Sequence, residues 1–433
     1  MNRSVLTIAL LLASFSVSSA EASQRLIVRN DSGLPAMKRL CGILGCNVEQ
    51  GLDGTLGKLF LVTIPDLVNI NLFAINLSVN LGVISVELDV QVHISGPPAT
   101  SPPPAGLWDR SSNNYLGYPV WNGYANQPAG GVIRLREAQN QFGVGGAGIV
   151  GIIDTGVDGD HPALRSVSVP GYDFLQNQAG AASEQGAVQQ STAAVLDGGP
   201  WMVNQSTAAV LDSELGRLLG LKQYSAVGHG TMVAGIVHMV APRTKIMSLR
   251  AFSPDGTGYL SDILRAIYWG TQNGARVLNM SFSFPASSRE LKNAADYADR
   301  NGVIKVASAG NAGTQQAAYP ASLNNVMGVA STNLNDQRSS FSSYGPGVWV
   351  AAPGEGIVTT YPYSTYSAGW GTSFSAPFVT GTAALFLEFN ASCTHAQAAA
   401  AIAHARKLGS DLGNGRLDVY QAVSSYRQLL GLQ

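Results

Sequence analysis

Three short segments supply an acid, a base and a nucleophile, each in a glycine-bearing setting: Ile153-Asp154-Thr155-Gly156, Gly228-His229-Gly230 and Gly371-Thr372-Ser373. A serine hydroxyl is a poor nucleophile near neutral pH. An imidazole must take its proton, and a carboxylate must hold that imidazole in one tautomer. Asp154, His229 and Ser373 provide those three groups in the order acid, base, nucleophile. A fourth segment, Ala307-Ser308-Ala309-Gly310-Asn311, lies between the histidine and the serine and offers a side-chain amide. Each has a plainer reading alone. Asp154 caps the next turn, a lone histidine is more often structural, and an asparagine beside glycine is normally a turn residue. It is the ordered set that points to acyl transfer by an activated serine.

The surrounding pattern indicates which elements hold these groups. Residues 149–153 form a short apolar run that reads as a buried parallel strand, ending at Asp154. In open α/β sheets the carboxyl ends of such strands form the ligand crevice. His229 opens an apolar helical run over 231–240, in which Ala234 and Gly235 allow close packing against the sheet. Ser373 opens a helix running to about 387, with Pro377 expected in its first turn; the nucleophile then meets the positive end of the helix dipole. Ser375, His161 and His238 lack this context and read as structural. Further apolar runs at 245–249, 277–280, 303–307 and 326–329 read as strands, and 261–273 and 288–301 as helices. This alternation predicts an α/β fold, a doubly wound and mostly parallel sheet with helices on both faces. The string GVGGAG at 143–148 has the spacing of a dinucleotide loop but precedes a strand instead of following one, so it is set aside.

Taken together, the four segments resemble those of the subtilisin-like serine proteases, the subtilase family. The resemblance implies a serine endopeptidase with Asp154, His229 and Ser373 as its triad. Asn311 matches the family's oxyanion-hole asparagine, donating beside the Ser373 backbone N–H. Gly256, Thr257, Gly258 and Tyr259, and Ser281, Phe282 and Ser283, match the strands that bind substrate main chain. Ala307 to Gly310 would line the primary specificity pocket. The family usually has glycine where Ser283 stands, and many members have methionine where Phe374 stands. Calcium-binding members carry a carboxylate after the His-Pro pair, where this chain has Ala163, and a loop in the helix after the catalytic histidine, where Val240-Ala241-Pro242 follows directly. The usual high-affinity calcium site is therefore expected to be lost. No metal ligand and no cofactor is assigned, and calcium is left as a possible structural ion.

Upstream, Arg3, the apolar stretch 5–17 and the small residues Ser18-Ser19-Ala20 or Ala20-Glu21-Ala22 read as a secretory signal over 1–22, with a buried N-terminal helix as the alternative. The next apolar stretch, 59–77, is broken by Pro65, Asp66, Asn69 and Asn71, so no membrane anchor is expected. Residues 23–96 read as a small α+β domain: strands at 25–28 and 59–64, a helix at 35–44, and a clean apolar–polar alternation over 86–94. By position and size this resembles the subtilase propeptide, a folding aid and inhibitor; an unrelated small domain is the alternative. The proline-rich stretch 97–106 reads as a linker, and 107–433 as the catalytic domain with an insertion at about 174–224. Within that insertion QSTAAVLD occurs at 190–197 and again at 205–212, read either as a duplicated surface arm or as a flap near the cleft.

Composition sets outer limits. With 26 basic and 27 acidic residues the chain has no excess charge to attract nucleic acid or an anionic membrane. Only 12% of residues are charged and 49 are glycine, which suits a loop-rich globule and not a disordered chain. Three cysteines make no disulfide framework: Cys41 and Cys46 have each other to pair with, and Cys393 reads as a small buried hydrophobe. The expectation is a secreted monomer, extracellular or periplasmic, whose partners are polypeptide substrates and its own propeptide. The alternative is a catalytically silent binding or surface protein of the same fold.

Overall fold

The computed structural model describes residues 24–432, apart from 66–67, 95–96, 98, 103, 181–182, 184–200, 203–225 and 285, with backbone alone at 201–202. The signal segment and both copies of QSTAAVLD lie outside the described residues. The chain forms two compact units, one from residues up to 50 with 58–88, the other from 51–57 and 89–433.

In the first unit four strands, β1 (Gln24–Asn30), β2 (Asn47–Gly51), β3 (Leu59–Ile64) and β4 (Val83–Leu88), make a sheet of order β2-β3-β1-β4. β1 runs antiparallel to both β3 and β4. Helices Gly33–Leu44 and Ile70–Ser78 give Met37, Cys41, Phe73 and Leu77 to a core with Leu26, Val28, Phe60 and Val62. Cys41 and Cys46 are joined as a disulfide.

The alternation over 86–94 does not make one strand. β4 stops at Leu88, and β5 (Gln91–His93) pairs instead with β13 (Thr257–Tyr259) of the second unit. Asp89 explains the break. Its carboxylate accepts both the backbone N–H and the hydroxyl of Ser261, each at 2.8 Å, at the start of helix Leu260–Gln272. That helix has no side-chain cap of its own, so Asp89 supplies an acceptor and a negative charge to its exposed amides.

The second unit is built on an eight-stranded sheet of order β10-β9-β12-β8-β14-β15-β16-β17. Its strands are β8 (Ile149–Asp154), β9 (Ser168–Asp173), β10 (Gln178–Gly180), β12 (Lys245–Arg250), β14 (Val277–Met280), β15 (Ile304–Ser308), β16 (Met327–Thr332) and β17 (Val348–Pro353). All pairings are parallel except that of β10 with β9. β8 shows how both faces are covered. Val150 and Ile152 join a core with Val233 and Val237 of helix His229–Val240 and with Phe378 and Ala383 of helix Thr372–Phe389. Between them, Gly151 points the other way: a Cβ there would lie 2.8 Å from Leu278 and 2.9 Å from Leu249, the same pair that Gly270 of helix Leu260–Gln272 meets. This is the doubly wound α/β arrangement read from the sequence. Outside the sheet lie a hairpin, β6 (Ser112–Tyr115) with β7 (Tyr118–Trp121), and a three-stranded sheet of order β11-β19-β18. The latter comprises β11 (Trp201–Met202), β18 (Ile357–Tyr361) and β19 (Thr365–Gly369). The small residue Gly235 packs on β18, where a Cβ would come within 2.4 Å of both Thr359 and Thr360 hydroxyls, and not on the main sheet as expected.

Candidate active site

Strand β8 carries Asp154 to the carboxyl edge of the sheet, between β12 and β14 and fully buried. Oδ1 of Asp154 lies 2.7 Å from His229 Nδ1 and also accepts the Thr155 backbone N–H at 2.8 Å. Among the described residues Asp154 Oδ2 has no hydrogen-bond partner, so the imidazole is the principal group facing this charge. Two glycines let the histidine come this close. Gly228, which precedes the helix, has φ +85°, a left-handed conformation open to glycine at little cost. At Gly230 a Cβ would fall 2.0 Å from the Gly156 carbonyl and 3.1 Å from Asp154 Cβ, so any side chain would push the helix off the acid. Thr155 Oγ1 then accepts the Gly230 N–H at 3.1 Å and ties the two segments together.

Ser373 is the second residue of helix Thr372–Phe389, and Pro377 the sixth, one turn later than expected. Pro377 lacks an N–H, so the Ser373 carbonyl loses the partner that an uninterrupted helix would give it. Ser281 fills the gap: its hydroxyl donates to the Ser373 carbonyl at 2.9 Å and accepts Asn279 Nδ2 at 2.8 Å. Asn279 Oδ1 in turn accepts the Thr380 hydroxyl at 2.8 Å, and all three side chains are fully buried. The Ser373 hydroxyl donates to the Ser281 carbonyl oxygen at 2.9 Å. Phe374, buried against Gly369, has its ring 5.7 Å from the His229 ring, centroid to centroid.

Asn311 follows Gly310, whose φ of +105° turns the chain at the end of β15. Its Oδ1 accepts both the backbone N–H and the hydroxyl of Thr372, each at 2.9 Å. The amide plane is thereby fixed beside the nucleophile's helix, and its nitrogen has a set direction. The other residues singled out in the sequence divide by what they present. Gly256 and Thr257 to Tyr259 form the turn and edge of β13, with the main chain already paired to β5. Ser281 and Phe282 are buried, the Phe282 ring tilted against that of Phe252 with centroids 5.1 Å apart, so these two offer substrate backbone rather than side chains. Ser283 is half-buried, and its hydroxyl stands 3.6 Å from where a Cβ on Gly310 would be, near Ala318 and Ser343. Ala307 is buried within β15.

Thr155, Thr372 and the hydroxyl of Ser281 were not singled out as functional from the sequence. The motif strings contain them, but their roles depend on which loops meet. His161 and His238 are buried, and desolvation lowers their pKa values to about 4 and about 3. His161 Nε2 contacts the Thr365 carbonyl, and its Nδ1 accepts the Ala163 N–H. The Ala163 methyl is fully buried, so position 163 offers a cation no side-chain oxygen and does not fit a calcium ligand. In the 143–148 loop the Gly145 and Gly146 amides donate to Glu388 Oε2, each at 2.9 Å. No helix among the described residues is long and apolar enough to cross a membrane.

Residues 145–421 match the family model of the subtilases. The chain is 32% identical over 286 residues to thermitase of Thermoactinomyces vulgaris, covering 63% of this chain and 88% of thermitase. It is 38% identical over 179 residues to subtilisin BL of Lederbergia lenta, covering 39% of this chain and 66% of that protein. Among solved structures, a cold-adapted subtilisin-like serine proteinase matches 63% of this chain and 89% of its own, at 28% identity and a TM-score of 0.51. Fervidolysin of Fervidobacterium pennivorans matches 93% of this chain and 61% of its own at 22% identity and a TM-score of 0.69, which bears on the fold alone.

Proposed function

The chain belongs to the subtilase family of serine endopeptidases, and from that premise we propose that it is an exported enzyme made as a self-processing zymogen. The observation that carries the chemical part is the buried 2.7 Å contact between Asp154 and His229 at the carboxyl edge of the sheet, beside the helix whose second residue is Ser373. Ser373 Oγ attacks the peptide carbonyl carbon while His229 Nε2 takes its proton, and Asp154 holds the imidazole tautomer and balances the imidazolium charge. The oxyanion meets Asn311 Nδ2 and the Ser373 N–H at the positive end of its helix. The C–N bond then breaks, with His229 returning the proton to the leaving nitrogen. Water attacks the acyl-serine, gives one proton to His229, and the serine is restored as the carboxyl product leaves.

Substrate is held as an added strand on β13 and on the Ser281 to Ser283 edge. A substrate amide that takes the Ser281 carbonyl displaces the Ser373 hydroxyl from it, and the hydroxyl turns to the imidazole. β5 is the model for this occupancy: it lies antiparallel on β13, with Val92 and Ile94 buried and Gln91 and His93 exposed. That pairing supports residues 23–96 as a propeptide acting as an inhibitor, while Arg3 ahead of the apolar stretch 5–17 supports residues 1–22 as the signal that exports the precursor. Expressed in a protease-free host, Ser373→Ala precursor should remain one chain while the wild type is cut between Ile94 and Thr100. Equal cutting of both would exclude self-processing.

A further inference from the structure

Within the second unit, β5 and the residues that follow it make two sets of contacts, one beside the histidine and one on the loop leading into Ser373. On one side, Ile94 N–H donates to the Gly256 carbonyl at 2.8 Å, next to Ala226, whose own carbonyl accepts the His229 N–H. On the other, the chain meets the loop leading into Ser373. Trp370 Nε1 donates to Ser101 Oγ, and Thr100 Oγ1 to Glu355 Oε2, each at 2.9 Å. Pro104 lies 3.4 Å from where a Cβ on Gly356 would sit, and Ala99 packs on the main core. Trp370 is fully buried three residues before Ser373, and the next residue, Gly371, bonds back to the Gly354 carbonyl at 2.9 Å. A buried indole N–H needs an acceptor, and among the described residues it has Ser101.

We propose that Trp370 and Glu355 form a docking site for polypeptide on the leaving-group side of Ser373, occupied in cis by Thr100 and Ser101, and that they position the precursor for its first cut. The inference rests on the self-processing reading above. Chain order fixes the sense: a bond cut between Ile94 and Thr100 leaves β5 on the acyl side and Thr100 and Ser101 on the leaving side. Ile94 and Thr100 are six steps apart, about 20 Å at full extension, so any bond between them lies within that reach of both anchors. Holding both ends converts the encounter of bond and nucleophile into a local one. Prolines at 102 and 104 restrict the strap to extended backbone before it docks, so little further conformational freedom is lost on docking. The class of ligand follows: an extended, proline-flanked segment presenting adjacent hydroxyl side chains.

The test is the first-order rate of precursor cleavage on refolding from denaturant, measured at several protein concentrations. Ser101→Ala should slow it about fivefold, the worth of one net hydrogen bond, with no dependence on concentration. Ser101→Thr, which keeps the acceptor oxygen, should run within twofold of wild type. Turnover of a short acyl-side peptide nitroanilide, per active site, is the second readout. Wild-type cleavage rates in Ser101→Ala, a Ser101→Thr as slow as Ser101→Ala, or a parallel loss of nitroanilide turnover would each overturn the docking site. Cleavage of a Ser373→Ala control would instead remove the self-processing reading beneath it.

Discussion

At the scale of single residues the site depends on restraint more than on reactivity. Asp154 touches His229 through one oxygen, and that oxygen is itself held by the Thr155 amide. Asn311 is held by Thr372, 61 positions later in the chain. The types and order of Asp154, His229, Asn311 and Ser373 were readable in the sequence because each stands in a short glycine-bearing motif. The residues that fix them were not, since neither Thr155 nor Thr372 shows from sequence which amide it will meet. Asn311→Ala should lower kcat by about 10²–10³ with little change in KM, because its donor acts on charge that develops only at the transition state; the range is that measured for such a donor in subtilisin. A change confined to KM would remove Asn311 from the oxyanion hole.

At the scale of elements the helix Thr372–Phe389 carries the clearest argument. Pro377 removes the donor that the Ser373 carbonyl would have used, and Ser281 replaces it from the neighbouring strand's end. Ser281→Ala should therefore cost about 1–3 kcal/mol, the penalty for stranding a buried acceptor. The same change in a Pro377→Ala background should cost less by the carbonyl's share, because the restored N–H serves that carbonyl while Asn279 Nδ2 loses its acceptor in both backgrounds. Unfolding midpoints of all four proteins, each carrying Ser373→Ala to prevent autolysis, measure the coupling, and additive effects would show that Ser281 acts otherwise. The proline was legible but its place in the helix was not, because helix start depends on the Gly371 turn and not on apolar periodicity. Buried strands were legible as short apolar runs: 149–153, 245–249 and 277–280 all lie in the central sheet. The alternation at 86–94 misled because period two marks any half-buried strand and says nothing about a change of partner at Asp89.

At the scale of the whole molecule, His161 and His238 are buried as neutral rings with pKa values lowered to about 4 and about 3, mainly by loss of solvent. Unfolded, both titrate near 6.5. Between those values the unfolded chain binds protons that the folded chain refuses, so stability is full above about 6.5 and falls steadily as pH drops toward 4. Melting of the Ser373→Ala protein should drop from pH 7 to pH 5, and His238→Asn should shrink that drop; an unchanged drop would clear His238 of the effect. The central claim is that this fold holds Ser373 as an activated nucleophile, and its most direct measurement is reaction of the processed protein with a fluorophosphonate, followed by peptide mass spectrometry. The account predicts one adduct per chain, on Ser373, and its loss in a folded His229→Ala variant. A folded wild-type protein that stays unmodified, or a His229→Ala variant that labels equally fast, would contradict it.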